Sequence, residues 1–255
     1  MSVAPGHVLA IDIGGTKIAA AVVDERGTVA NRKRVATAGA GADELFETLL
    51  ALVHDVRRST DVSLVGVGVG CGGPMDRGGV HVSPLNIPQW RDFPLRERLT
   101  SVLGAAVTVD NDAKALALGE GWVGAARGER DFLAMVVSTG VGGGIVLDGR
   151  LLDGSSSNAG HIGHMIVVPG GRRCVCGARG CVEAEASGTA IAAVTGRPPK
   201  EAGQAVRVRT GRLVGQAVAS IANLLDLRLA CVAGSVALGF GDVFFDAAQA
   251  ELDSS

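Results

Sequence analysis

The chain has 255 residues, of which 47% are hydrophobic, and its formal net charge is -2. This nearly neutral balance argues against a broad surface for nucleic acid or for anionic membranes. The apolar stretches are interrupted too soon for a transmembrane span. The N-terminal residues lack a basic stretch followed by a long apolar one, so we expect no signal peptide. We therefore expect a cytoplasmic protein without nucleic-acid or membrane partners.

The first half of the chain alternates short apolar runs with helical periodicities. Apolar runs rich in branched residues predict strands at 8–13, 18–23, 28–35, 64–69 and 106–109. Asp43 can cap a helix whose apolar side is formed by Leu45, Leu49, Leu52, Val53 and Val56. Pro94 opens a second predicted helix, with an apolar side of Leu95, Leu99, Val102 and Leu103. A third helix is predicted over 111–122.

The same pattern restarts in the second half of the chain. Strands are predicted at 132–137, 145–147 and 229–233, and helices at 210–225 and 242–252. A glycine turn at 140–144 echoes the turn at Gly14 and Gly15. Strands that alternate with helices predict two α/β halves, 1–110 and 111–255, each with a parallel or mixed sheet.

The two glycine turns are candidate phosphate sites. Backbone N–H groups without side-chain bulk suit a phosphate, and two equivalent turns can hold one polyphosphate from both sides. Neither turn matches a P-loop or a complete dinucleotide fingerprint, which argues against a Walker NTPase and a Rossmann dehydrogenase. Asp12, directly before the first turn, is either a Mg²⁺ ligand or a turn-capping carboxylate, and the sequence favours neither role.

A second acidic group, Asp110-Asn111-Asp112, lies where a predicted strand is followed by a helix. Helix capping is the common role of Asp and Asn at such a place, and the local sequence favours it. The functional alternative is that Asp112 accepts the proton of a hydroxyl group during phosphoryl transfer. Asn111 and Asn86 can then donate to and accept from substrate hydroxyls.

Three cysteines within eight residues, Cys174, Cys176 and Cys181, are the sharpest local signal. Their spacing in a loop rich in Gly and Arg is typical of a tetrahedral zinc site rather than of a disulfide framework. His164 is the candidate fourth ligand and His161 its competitor, and free thiols are the alternative. Four protein ligands would make the zinc structural, and it would hold the loop that carries Glu183.

Together these motifs resemble the repressor, ORF, kinase (ROK) family of sugar kinases, bacterial glucokinases among them. The resemblance covers nearly the whole chain. It rests on Asp12-Ile-Gly-Gly-Thr-Lys17, Asn86-Ile-Pro88 with Trp90, Asp110-Asn-Asp-Ala113 with Gly119-Glu120, Ser138-Thr-Gly-Val-Gly-Gly-Gly144, Gly160-His-Ile-Gly-His164, Cys174-x-Cys-Gly-x-x-Gly-Cys-x-Glu183 and Val232-Ala-Gly-Ser-Val236.

The resemblance implies a two-lobed actin-like ATPase (ribonuclease H-like) fold with a zinc-binding loop, in a homodimer. Asp112 matches the family's catalytic base, which acts on the 6-hydroxyl of the sugar in glucokinases. ATP and its Mg²⁺ are expected at Asp12, Gly14, Gly15, Thr16, Thr139, Gly140, Gly142 and Gly234. The expected sugar contacts are Asn86, Asn111, Asp112, His161, His164 and Glu183. The expected zinc ligands are His164, Cys174, Cys176 and Cys181.

The sequence departs from the family pattern in two places. One concerns the identity of the sugar substrate, and the other concerns the C-terminal end of the second half of the chain. The glucokinase motif is Gly-Glu-x-Gly-His, and here His161 replaces its Glu. Because an imidazole and a carboxylate present different hydrogen-bonding groups, an N-acetylhexosamine or an amino sugar is an alternative to glucose. The chain also ends soon after Asp253, where family members continue, so we expect a form shortened at its C-terminal end.

One further function of the family is disfavoured by the sequence, and another is open. Repressors of the family carry a helix-turn-helix segment before the Asp-Ile-Gly-Gly turn. Only eleven residues precede Asp12 here, so we expect no such segment. A sugar-binding or regulatory protein without catalysis is the alternative if the shortened end removes ATP binding. The sequence also leaves open whether ATP or polyphosphate is the phosphoryl donor.

Overall fold

The computed structural model describes residues 6–254 and divides them into two compact units. The first unit comprises the residues up to Ala115 together with Asp153–Asn158. The second comprises Leu116–Leu152 and the residues from Ala159 onward. The first residues of the N-terminal stretch, for which the sequence predicts no signal peptide, lie outside the described residues.

The first unit is built on a mixed five-stranded sheet, as the alternation of strands and helices predicts. Its strands are β1 (His7–Ile13), β2 (Lys17–Val23), β3 (Val29–Ala36), β4 (Leu64–Cys71) and β5 (Val107–Asn111). The strand order is β3-β2-β1-β4-β5; β1, β4 and β5 run parallel, and β2 is antiparallel to both of its neighbours. Its helices are α1 (Ala42–Arg58), α2 (Leu95–Leu103) and the start of α3 (Asp112–Val123).

The helices of this unit bury most of the predicted apolar residues. One predicted cap and one predicted apolar residue differ from the sequence prediction. The five predicted residues of α1, from Leu45 to Val56, are all buried in the core. Asp43 is not the cap, because Gly41 holds that position and Asp43 lies in the first turn, paired with Arg98 at 2.5 Å. In α2, Val102 is 47% exposed, because the buried face of this short helix is already filled by the leucines on either side of it.

The second unit has a four-stranded sheet with most of its helices in the last third of the chain. Its strands are β6 (Phe132–Val137), β7 (Val141–Leu147), β8 (Arg150–Leu151) and β9 (Ala230–Ala233), in the order β8-β7-β6-β9. Its helices are α4 (Val182–Ala186), α5 (Gly188–Thr195), α6 (Gln204–Leu225), α7 (Ser235–Phe240) and α8 (Asp242–Asp253). Short 3₁₀ helices lie at Ile162–His164 and Pro199–Glu201.

Close packing of α6 against α8 forms much of this second core. A Cβ atom added at Gly215 of α6 would lie 2.5 Å from the carbonyl oxygen of Ala248 in α8. Glycine at this position therefore lets the two backbones approach, which a larger residue would prevent. None of the described helices, α6 included, is long and apolar enough to cross a membrane.

The second glycine-rich stretch differs from the predicted turn at 140–144. β7 already begins at Val141, and Gly142 pairs with Val136 of β6. The tight turn therefore consists of Ser138, Thr139 and Gly140 alone, because backbone pairing extends as far as Val141. Gly142 is part of the strand rather than of the turn.

Candidate active site

Two carboxylates lie at the carboxyl ends of parallel strands in the first unit. Asp12 is in register with Gly70 of β4, and Gly70 is in register with Asp110 of β5. Asp112 follows β5 and begins α3. A Cβ atom added at Gly70 would lie 3.4 Å from the Cα atom of Asp112, so Asp112 packs over this glycine. The register thus brings Asp12 and Asp112 to one edge of the sheet, where α/β proteins bind their ligands.

The surroundings of Asp112 suit a proton acceptor. Asp112 is half-buried, and burial raises the pKa of its carboxyl group above the usual value. The N–H group of Ala113 donates to Asp112 Oδ1 at 2.8 Å and partly offsets this, whereas the charge of Asp12 raises the pKa further. Asp12 is exposed, but partial desolvation also raises its pKa, against the lowering effect of Lys17 and Arg32. Perturbed carboxyl groups of this kind cluster at functional sites.

The capping role that the local sequence favours is also present. Asn111 Oδ1 accepts the N–H group of Ala113 at 3.0 Å, and Asp110 Oδ1 accepts the N–H group of Asn111 at 2.7 Å. The contact of Asn111 stabilises the first turn of α3, where N–H groups otherwise lack partners, and the contact of Asp110 holds the end of β5. Capping and proton transfer are compatible, because the cap contact of Asp112 itself uses only Oδ1.

The first glycine turn lies at the same end of β1 as Asp12. Gly14 donates its N–H group to the carbonyl of Lys17 at 3.0 Å, and its own carbonyl accepts from Thr37 Oγ1 at 2.6 Å. Gly15 and Thr16 are exposed at the tip of the turn. A Cβ atom added at Gly15 would lie 2.5 Å from Asn86 Cβ, so only glycine fits here. The structure therefore brings Asn86 to the turn.

The second turn, Ser138–Gly140, is held by residues of α4 and α5 in the second unit. Glu183 Oε2 accepts the N–H group of Val141 at 3.1 Å. The hydroxyl and the N–H group of Thr189 both donate to the carbonyl of Thr139, at 3.0 and 3.1 Å. A Cβ atom added at Gly140 would lie 3.1 Å from Glu183 Oε2. Glu183 thus lies directly beside Thr139 and Gly140.

Gly234 follows β9 and lies beside the second turn. Its φ is +105°, and an added Cβ atom would collide with the carbonyl oxygen of Val137. The neighbouring hydroxyls of Ser235 and Ser138 lie 2.9 Å apart. Glycine is therefore required both for the backbone angle and for the close approach of β9 to the end of β6.

The three cysteines and one histidine come together in the second unit. The ligand atoms of His164, Cys174, Cys176 and Cys181 all lie within 4.8 Å of one another. Cys174 Sγ is 3.6 Å from His164 Nδ1, and Cys176 Sγ is 3.7 Å from Cys181 Sγ. Zinc bonds of about 2.3 Å to sulfur and about 2.0 Å to nitrogen put such atoms about 3.5–3.8 Å apart in a tetrahedron. The cluster therefore fits a zinc ion in both size and chemistry.

The backbone of the cysteine loop is shaped for this cluster. Gly177 and Gly180 have φ values of +96° and +78°, which glycine adopts without strain. The N–H group of Val182 donates to the carbonyl of Met165 at 2.9 Å and ties the loop to the segment of His164. Burial raises the pKa of Cys181 to about 12, so a bound cation is needed to keep this thiol ionised.

The structure separates the two candidate histidine ligands. His164 ends the 3₁₀ helix and directs Nδ1 at Cys174. His161 precedes that helix, and its ring centroid lies 6.1 Å from that of His164. His164 is therefore the residue that completes the cluster, and His161 lies beside it.

Sequence reasoning missed a buried carboxylate next to this loop. Glu185 of α4 is 3% exposed and accepts from Arg172 Nη1 at 2.5 Å and from Arg209 Nη2 at 2.6 Å. Burial opposes ionisation, but these contacts and the N–H group of Arg172 hold the pKa of Glu185 below its usual value. Since Arg172 lies two residues before Cys174, the network ties the cysteine loop to α4 and α6. The alternation of Glu and Ala in this short helix does not indicate a buried ion-pair network.

Sequence reasoning also missed Lys114, in the first turn of α3. Its side chain is 1% exposed, and its ammonium group contacts Asp110 Oδ1 at 3.0 Å and Asp153 Oδ1 at 2.6 Å. The spacing of Asp110 and Lys114 by four residues could have indicated the first contact. The contact with Asp153 spans 39 residues and has no local signal.

A comparison with protein families identifies the chain over most of its length. The family described as "ROK family" matches residues 8–241. An N-acetylmannosamine kinase from Yersinia pseudotuberculosis is 38% identical over 254 residues, covering 92% of this chain and 85% of that protein.

Solved structures of similar proteins share the fold. A ROK family glucokinase from Streptomyces griseus, in complex with glucose and AMPPNP, has a TM-score of 0.85 at 31% identity, covering 98% of this chain and 89% of the other. A ROK hexokinase from Thermus thermophilus has a TM-score of 0.82 at 36% identity, covering 97% and 89%.

Proposed function

The chain belongs to the ROK family, and we propose that it is an ATP-dependent sugar kinase of the actin-like ATPase fold. The observation that carries this proposal is the half-buried carboxyl group of Asp112, which follows β5 at the sheet edge that also holds Asp12. Relatives named as sugar kinases, which match nearly the whole chain, support the same reaction.

Asp112 is the proposed general base. It accepts the proton of the sugar hydroxyl, proposed to be the 6-hydroxyl, while that oxygen attacks the γ-phosphorus of ATP and ADP leaves. The raised pKa of its carboxyl group supports this role, because a base is most effective when its pKa is near the working pH. The contacts of Asp110 and Asn111 hold the start of α3, which fixes the position of the carboxylate.

The proposed ATP contacts are backbone groups of the two glycine turns. In the first unit they are Gly14, Gly15 and Thr16, and Asp12 holds Mg²⁺ directly or through water. In the second unit they are Thr139 and Gly140 of the turn, Gly142 in β7, and Gly234 beside the adenosine. The exposure of Gly15 and Thr16 at the tip of the first turn supports this, since a phosphate needs access to backbone N–H groups. The AMPPNP-bound relative supports ATP as the donor.

A structural zinc ion is proposed at His164, Cys174, Cys176 and Cys181. The close approach of the four ligand atoms, with two pairs at 3.6 and 3.7 Å, supports it, and four protein ligands leave no coordination position for catalysis. Because Nδ1 of His164 faces the cysteines, Nε2 on the other side of the ring is available for a sugar hydroxyl. The zinc then positions His164 and, through the short link from Cys181, Glu183.

N-acetylmannosamine is the favoured sugar and glucose the second candidate. The N-acetylmannosamine kinases at 38% identity support the first, and the glucose-bound structure at 31% supports the second. The proposed sugar contacts are Asn86, Asn111, Asp112, His161, His164 and Glu183. His161 decides between the two sugars in this proposal, because a histidine offers a donor where the glucokinase motif has a carboxylate.

A coupled ADP-release assay tests the proposal. The panel comprises N-acetylmannosamine, N-acetylglucosamine, glucose, mannose and glucosamine, each with ATP or polyphosphate, and phosphorus NMR identifies the phosphorylated position. We expect the highest kcat/KM for ATP with N-acetylmannosamine and a shift toward glucose in His161→Glu. Absence of turnover with every sugar would refute the kinase proposal, and turnover that survives Asp112→Asn would refute the assigned base.

A further inference from the structure

The ammonium group of Lys114 is a fully buried cation whose three donors all find acceptors. It contacts Asp110 Oδ1 at 3.0 Å, Asp153 Oδ1 at 2.6 Å and the carbonyl oxygen of Ser157 at 3.4 Å. The side chain is 1% exposed, so water does not replace these partners. Burial opposes the charged form, but hydrogen bonds to Asp153 and Asp110 hold the pKa of Lys114 above its usual value.

The partners of Lys114 come from two distant parts of the chain. Asp110 ends β5 two residues before Asp112, whereas Asp153–Asn158 follows β8. This segment belongs to the first unit, although the residues on both sides of it belong to the second. Ser157 is 8% exposed and has a φ of +63°. This left-handed angle is energetically unfavourable for any residue other than glycine. Lys114 thus anchors a segment of the first unit that is flanked in the sequence, on both sides, by residues of the second unit.

We propose that Lys114 is a positioning residue that fixes Asp112 by binding the first turn of α3 to the Asp153–Asn158 segment. The inference rests on the proposed kinase function, in which Asp112 is the base. The path of contacts is short: Lys114 holds Asp110 Oδ1, the same oxygen accepts the N–H group of Asn111, and Asn111 caps Ala113. Asp112 lies inside this set of contacts.

The charges around Lys114 favour positioning over a direct electrostatic role. Two carboxylates bind the cation, so its charge is already balanced before it can act on Asp112. Burial and the charge of Asp12 instead dominate the rise in the pKa of Asp112. We call the contacts of Lys114 with Asp110, Asp153 and Ser157 the clamp. Loss of the clamp should therefore lower kcat through misplacement of the base, and leave the affinity for ATP nearly unchanged.

Asp153→Asn is the informative variant, because it weakens the clamp at its more exposed partner and keeps the shape of the side chain. Asp153 is 55% exposed, so the change carries little risk to folding. Asp55→Asn is the matched control in the same unit: Asp55 is 50% exposed and pairs with Lys33 at 2.8 Å. We expect Asp153→Asn to lower kcat about tenfold or more with KM for ATP within about twofold, and Asp55→Asn to change neither. Asp153→Glu, which keeps the charge, should recover part of the loss.

Hydrogen–deuterium exchange gives a readout that does not depend on turnover. In the 255-residue chain, peptides covering 110–115 and 153–158 should exchange faster in Asp153→Asn than in the wild type or in Asp55→Asn. Equal kcat and equal exchange in the two variants would overturn the inference, as would a loss confined to KM for ATP. If the wild type turns over no sugar, the kinase proposal fails, and the exchange pattern alone then supports or refutes the clamp.

Discussion

Replacing Asp112 by Asn should reduce activity and raise stability at the same time. Asparagine keeps the size of the side chain and can still accept the N–H group of Ala113 through Oδ1, which Asp112 does at 2.8 Å. It cannot accept the substrate proton, so kcat should fall about 10²- to 10⁴-fold, or about 3–5 kcal/mol. It also removes a carboxylate whose charge burial disfavours.

The stability effect follows from the direction of the pKa shift. Burial raises the pKa of Asp112 above its value in the unfolded chain, so ionisation costs the folded state free energy at neutral pH. Each unit of that rise corresponds to about 1.4 kcal/mol, which the substitution should recover. The gain is complete above the folded pKa. It disappears as the pH falls toward the unfolded value of about 3.9, because both states are then protonated.

Thermal unfolding of the wild type and Asp112→Asn from pH 4 to pH 8 tests this reasoning. We expect the Tm of the variant to exceed that of the wild type at pH 7 to 8, and the difference to shrink toward pH 4. Loss of activity with a lower Tm at every pH would mean that the substitution damages the fold. A higher Tm that does not change with pH would show that burial of the charge is not the cause.

Three further outcomes are expected. Metal analysis should find about one zinc per chain, and Cys176→Ser, at an exposed position, should lose the metal and weaken sugar binding without a change in core packing. Arg209→Met should lower the free energy of unfolding by about 1–3 kcal/mol, because Glu185 stays buried with one arginine partner fewer; an unchanged denaturation midpoint would contradict this. Gly234→Ala should cost about 1–3 kcal/mol and raise KM for ATP, since φ is +105° and the Cβ atom meets Val137; wild-type stability would argue against a required glycine.

The sequence could predict those features that depend on local periodicity. The apolar face of α1 is buried as its leucine and valine spacing indicates, and most strands lie within a residue or two of their predicted positions. Local patterns failed where the outcome depends on neighbours from elsewhere. Val102 has helical spacing but no core opposite it, and the length of β7 depends on how far β6 pairs with it.

The sequence by itself determined which groups are candidates for chemistry, because residue type and spacing decide which groups can bind phosphate, accept a proton or hold zinc. The cysteines and the glycine turns were proposed from their local patterns, and the base role of Asp112 from the family resemblance. The tertiary structure alone decided which of these groups meet. His164 rather than His161 faces the cysteines, Glu183 lies beside the second glycine turn, and Lys114 binds a segment 39 residues away. Contacts of this kind depend on sheet register and on loop paths, which no local pattern encodes.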